Sequence, residues 1–183
     1  MPKQKLRIVP GGDRYHRWSA CANWNWRGNM PMDPSHLSDD FRDFLICLNE
    51  ACVDYLLVGG HAVAYHGYVR PTRDMDVWVA VSPQNAERLV AAVRKFFGGP
   101  LEGLAPEWFL DRESVTRFGA VPNQVEILPS ISGGDFAAAS ARSVAATIDG
   151  QPVKVISLED LIANKKASGR LKDLADVEQL TKP

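Results

Sequence analysis

The feature that most constrains this chain is Gly59-Gly60, followed downstream by Asp74-Met75-Asp76. An apolar, strand-like run, Tyr55–Val58, precedes the glycines, and a second, Val77–Val81, follows the acids. Carboxylates at i and i+2 of a strand point to one face, because side chains alternate with period two. Like charges held that close repel, so the arrangement calls for a cation between them. An all-oxygen ligand set suits Mg²⁺, which takes one or two carboxylates plus phosphate oxygens. A Gly-Gly turn leaves backbone N–H groups free to approach an anion. A cation clamp beside a phosphate cradle reads as nucleotide chemistry.

The length of 183 residues favours one domain, and 45% apolar residues suffice for a core. A net charge of −1 provides no global field for a polyanion, so any such contact must be local. No run approaches the ~18 apolar residues that a membrane span requires. Lys3, Lys5 and Arg7 have no apolar stretch behind them, so no secretory signal is expected. Cys21, Cys47 and Cys52 are odd in number and lack metal-type spacing, which fits reduced thiols in a cytoplasmic protein.

Residues 1–33 show neither helical nor strand periodicity. Arg7, Arg14, Arg17 and Arg27 alternate with Trp18, Trp24 and Trp26. Two readings stay open: a disordered arm that stacks on nucleic acid, or translation that natively begins at Met30 or Met32. The domain is expected over 34–183, with its first element opening at Ser38, an N-cap. Phe41, Phe44, Leu45 and Leu48 form the apolar stripe of the helix that follows. Beyond the glycines the pattern predicts a short helix over 62–66 and a strand over 75–81. A helix should start at Ser82-Pro83 and stop at Gly98. Strands are expected over 115–118 and 125–128, and a helix over 136–142. A hairpin should turn on Asp149-Gly150. A helix capped by Ser157 and a last helix over 171–180 complete an α/β domain with a helical C-terminus.

Glu126 is a third acid, set in the short β-forming run Gln124–Leu128. It is either an edge charge or a ligand. If its strand lies beside the Asp74/Asp76 strand, three carboxylates share a face and could hold two Mg²⁺. Lys165 continues the stripe Leu158, Leu161, Ile162 and so leans inward, where it needs an anion or must snorkel. Leu171, Leu174, Ala175 and Leu180 read as the core face of the last helix. Asp173 is spaced to order Lys165 or the turn at Gly169-Arg170. Arg70 and Arg73 flank the acids and suit either phosphate or a surface salt bridge. His61 and His66 suit either acid–base work or packing. No nucleophile elbow and no P-loop signature is present.

Two segments together resemble a known family: Leu57-Val58-Gly59-Gly60-His61-Ala62-Val63-Ala64-Tyr65-His66-Gly67, and Arg70-Pro71-Thr72-Arg73-Asp74-Met75-Asp76-Val77. They are similar to the nucleotidyltransferase superfamily that includes DNA polymerase β. Within it, the match is to small bacterial nucleotidyltransferases related to AbiEii-type toxins. The segment Asp160–Leu174 resembles that group's lysine and aspartate motifs. The resemblance implies a mixed β-sheet flanked by helices and transfer of a nucleoside monophosphate from an NTP, such as ATP, to a hydroxyl. It implies that Gly59 and Gly60 hold the triphosphate and that Arg70, Thr72 and Arg73 bind nucleotide. Asp74 and Asp76 would bind two Mg²⁺, with Glu126 in the third acid's place. Lys165 would neutralise phosphate, supported by Asp173. The acceptor it implies is RNA, a tRNA end or a protein, with an antitoxin as partner. A small-molecule acceptor, as in antibiotic-modifying relatives, and a non-catalytic nucleotide-binding module are the alternatives. The second glycine is often serine and the third acid often aspartate in other branches, so the glutamate is a departure.

Overall fold

The computed structural model describes residues 5–9, 37–119 and 123–182. A mixed seven-stranded sheet organises them, in the order β1-β4-β5-β3-β2-β7-β6. Helix α1 (Asp39–Glu50) starts at Ser38, whose hydroxyl accepts from the Phe41 N–H, and it buries Phe41, Phe44, Leu45 and Leu48. Strand β2 (Tyr55–Leu57) leads into α2 (Gly59–Tyr65). Strand β3 (Asp74–Val79) pairs antiparallel with β2, Leu57 opposite Val77. Helix α3 (Pro83–Phe97) is capped by Ser82 and stopped by Gly98 in the left-handed region. A 3-10 turn (Pro106–Phe109) precedes β4 (Ser114–Phe118) and β5 (Gln124–Leu128). After α4 (Phe136–Ala141), the hairpin β6 (Val144–Ile148) and β7 (Gln151–Val155) turns on Asp149-Gly150, both at positive φ. Helices α5 (Leu158–Ser168) and α6 (Leu171–Leu180) follow. Among the described residues no helix is long and apolar enough to cross a membrane.

The core fills the face of the sheet that carries Met75, Val77, Val125 and Ile127, all essentially inaccessible. The rings of Phe44, Phe96, Phe97 and Phe118 pack there edge to face. Strand alternation then sends Asp74, Asp76 and Glu126 to the other face.

Three expectations are corrected. Lys5–Ile8, inside the stretch read as an arm, form the edge strand β1, parallel to β4 with Leu6 opposite Val115. Val9 is buried behind it. Residues 10–33, with Met30, Met32 and the rest of the Arg/Trp pattern beyond Arg7, lie outside the described residues. Helix α2 begins at the glycines and not at Ala62, because Gly59, at φ +62°, itself makes the turn from strand to helix. Helix α6 departs from its apolar reading over its first turns: Leu171 is 88% exposed, Leu174 46%, Ala175 is exposed, and Asp173 and Asp176 are buried, while Leu180 packs against the core as expected. Burying two carboxylates overrides the apolar stripe because cations from three segments meet them there.

Candidate active site

Strand register assembles the acids. β3 and β5 run parallel with Asp76 opposite Glu126 and Asp74 opposite Gln124. The two strands thus bring Asp74, Asp76 and Glu126 to one face of the sheet. Glu126 has a second neighbour. β4 pairs antiparallel with β5 and sets Arg117 directly opposite Glu126. Arg117 and Glu126 form an ion pair. Among the described residues no group of three His, Cys, Asp or Glu side chains is arranged to hold a metal ion. Of the three acids, Glu126 is the one engaged by a guanidinium.

The glycine turn presses on the acids from the β2 side. A Cβ placed on Gly59 would lie 1.8 Å from Oδ2 of Asp76, and one on Gly60 would lie 2.3 Å from Oγ1 of Thr72. Only glycines let the backbone approach β3 this closely. Val58 offers no side-chain cap to α2. The Gly60 N–H donates to Asp76. Thr72 donates to the Asp74 carbonyl at 3.3 Å. Burial pushes the Asp76 carboxyl up to about 7, and the charges of Glu126 and Asp74 add to the rise. Lys172 and the Gly60 hydrogen bond pull the other way without cancelling it. The site is thus a carboxylate cluster short of positive charge, which fits a divalent cation held by two aspartates and completed by phosphate oxygens.

A second constellation lies between the loop after α2 and the last two helices. Lys165 is 3% exposed, with Nζ 2.9 Å from Asp173 and 2.7 Å from Asp176. Arg70 closes a two-armed bridge on Asp176, Nε at 2.6 Å and Nη2 at 2.8 Å. Arg170 reaches Asp173 at 2.6 Å, and Ser168 donates to the same oxygen at 2.6 Å. Burial alone would raise the Asp173 carboxyl, yet hydrogen bonds from Ser168, Arg170 and Lys165 hold it down at about 2. Asp176 is likewise held low, against burial, by hydrogen bonds from Arg70 and Lys165.

Lys165 thus leans inward onto protein carboxylates. Lys172 is the exposed cation whose charge reaches Asp76. Arg73 is exposed, and its carbonyl accepts from the Gln124 N–H, helping to seat β5 beside β3. A His66 ring nitrogen lies 2.8 Å from the Ile156 carbonyl, and His61 packs edge-on against Phe41. Burial pushes His61 down to about 4, so it is neutral at pH 7. Sequence reasoning missed Arg117, Asp176 and Lys172. Only Asp176 had a local signal: it sits three residues beyond Asp173, on the same helix face.

No protein-family model matches the sequence, and no curated protein matches it. Among solved structures, the chain is similar to the antibiotic-resistance factor ANT(2'')-Ia, with a TM-score of 0.51 at 19% identity, over 77% of this chain and 80% of that one. It also aligns with an antigenic nucleotidyltransferase-like protein from Paracoccidioides brasiliensis, with a TM-score of 0.46 at 20% identity, over 77% of this chain and 74% of that one. The likeness to ANT(2'')-Ia is one of fold: an α/β fold with a mixed sheet flanked by helices.

Proposed function

We propose that the chain is a Mg²⁺-dependent nucleotidyltransferase that moves a nucleoside monophosphate from an NTP to a hydroxyl acceptor. The observation that carries this reading is the contact of the Gly59 turn with Asp76, on the face that also holds Asp74 and Glu126. Asp74 and Asp76 would hold Mg²⁺, which when bound neutralises charge on the transferring phosphoryl group. The triphosphate lies along Gly59 and Gly60, whose lack of side chains leaves it room. Lys172 offers it a positive charge. Lys165 and Asp173 act indirectly. With Asp176 they tie Arg70, at the head of the loop that carries Thr72 and leads into Asp74, to α5 and α6. Three cations on two carboxylates leave this network one net positive charge, which suits a neighbouring polyphosphate. Glu126 stands on the far side of Asp76 from the glycines, where an acceptor hydroxyl would approach in line.

The resemblance to AbiEii-type proteins supports RNA, a tRNA end or a protein as acceptor, with this chain as the toxin of a toxin–antitoxin pair. The shared fold with an antibiotic-resistance factor supports a small-molecule acceptor. Incubation of the full chain with each α-labelled NTP, Mg²⁺ and separate RNA, protein and metabolite fractions tests the reading. Label should enter one fraction and should not do so with Asp76→Asn. No incorporation from any NTP, or full incorporation by Asp76→Asn, overturns it.

A further inference from the structure

Glu126 stands between two rivals. On one side, the parallel β3–β5 register sets Asp76 against it. On the other, the antiparallel β4–β5 register sets Arg117 against it. Adjacent strands lie about 4.8 Å apart, so a glutamate can swing to either neighbour by side-chain rotation alone. In the structure it sits on Arg117.

The pair is not built for maximum stability. Arginine's planar fork can close two parallel bonds on a carboxylate, as Arg70 does on Asp176. Arg117 bonds Glu126 through Nη2. Its Nε is buried and has no hydrogen-bond partner among the described residues. A guanidinium that leaves a buried arm open gives up stabilisation that a purely structural bridge would take. Arg117 is also partly open to solvent, with 36% of its side chain exposed.

We propose that Arg117 is a positioning residue that competes with the divalent cation for Glu126. While the pair is closed, a metal ion meets only Asp74 and Asp76. Glu126 joins when ion and nucleotide together outbid the guanidinium, and Arg117 is then released toward the substrate side of the sheet. The inference rests on the metal reading of Asp74 and Asp76.

Mn²⁺ binding to the full chain, followed by electron paramagnetic resonance, tests it without reliance on turnover. The set comprises wild type, Arg117→Met, Glu126→Gln and the double variant. Arg117→Met should bind Mn²⁺ about tenfold more tightly, the coupling expected of residues that share a partner. The gain should vanish in the Glu126→Gln background. A cation acting only through space on Asp74 and Asp76 would give the same gain in both backgrounds, which overturns the proposal, as does no gain at all. Arg117→Lys keeps the charge without the fork and should give a smaller, still Glu126-dependent gain. It decides the matter if Arg117→Met fails to fold. Mn²⁺ binding by no variant overturns the metal reading and this inference together. Binding with equal gains overturns this inference alone.

Discussion

The Gly59 backbone lies hard against the Asp76 carboxylate: a methyl group on the glycine would sit 1.8 Å from the carboxylate oxygen. The strand that supplies the acid and the turn that would hold the phosphate are in direct contact. Gly59→Ala therefore carries two costs, the positive φ and the displacement of Asp76. The expected loss of stability is on the order of 1–3 kcal/mol. Gly103→Ala separates the two. Gly103 also has positive φ, but nothing lies within 4 Å of its Cβ position. Urea unfolding should show the smaller loss for Gly103→Ala, and Mn²⁺ titration should show lost affinity for Gly59→Ala alone.

Asp76 is costly to the empty fold. Its folded carboxyl titrates at about 7, above the ordinary aspartate value of 3.8. The protonated form thus favours the fold at low pH. That contribution fades as pH rises from ~4 through ~7, and above it the ionised group strains the site. Asp76→Asn should therefore stabilise the metal-free protein at pH 8 by on the order of 1–3 kcal/mol after allowance for solvent screening, read as a higher melting temperature. The two proteins should melt alike near pH 4. The same substitution should lower nucleotidyl transfer at least about a hundredfold. A variant that melts below wild type at pH 8 would show that Asp76 is structural.

The Lys165 network makes the opposite prediction. Removing the central ammonium takes away the one cation that bonds both buried carboxylates, Asp173 and Asp176. Lys165→Met should cost about 3–5 kcal/mol, read from the urea midpoint. The depressed Asp173 carboxyl has its own signature. Its stabilising share is present above the ordinary carboxylate range and drains away as pH falls from ~4 toward about 2. Acid unfolding should accordingly begin at higher pH in Asp173→Asn, which lacks that share.

What was legible in the sequence was local. Ser38, Ser82 and Ser157 announce helix starts, and Gly98 and Gly169 announce stops, because caps depend on residues within one turn. Asp149-Gly150 announces the hairpin for the same reason. Alternation along β3 told which face Asp74 and Asp76 share, but not which strand lies beside it. The register that sets Glu126 against Asp76 is non-local, and so is the one that hands Glu126 to Arg117. Arg70 and Asp176 meet across 106 positions, and no spacing rule reaches that far. β1 escaped notice because Lys5-Leu6-Arg7-Ile8 is an edge strand whose two large apolar side chains remain exposed.

Helix α6 is where local pattern and structure part most sharply, and a single substitution measures the difference. A leucine in a core costs about 2–5 kcal/mol when cut back, through lost burial and the cavity left behind. Leu171, read from its stripe, belongs in that class. In the structure it is the exposed first residue of the helix, and the buried face carries Asp173 and Asp176. Leu171→Ser should therefore change stability by less than about 0.5 kcal/mol. The urea midpoint should match wild type while Asp176→Asn, on the opposite face, shifts it downward. If Leu171→Ser unfolds the protein as readily as Asp176→Asn does, α6 packs by its leucines, and the paired aspartates do not hold the C-terminal helices to the loop of Arg70.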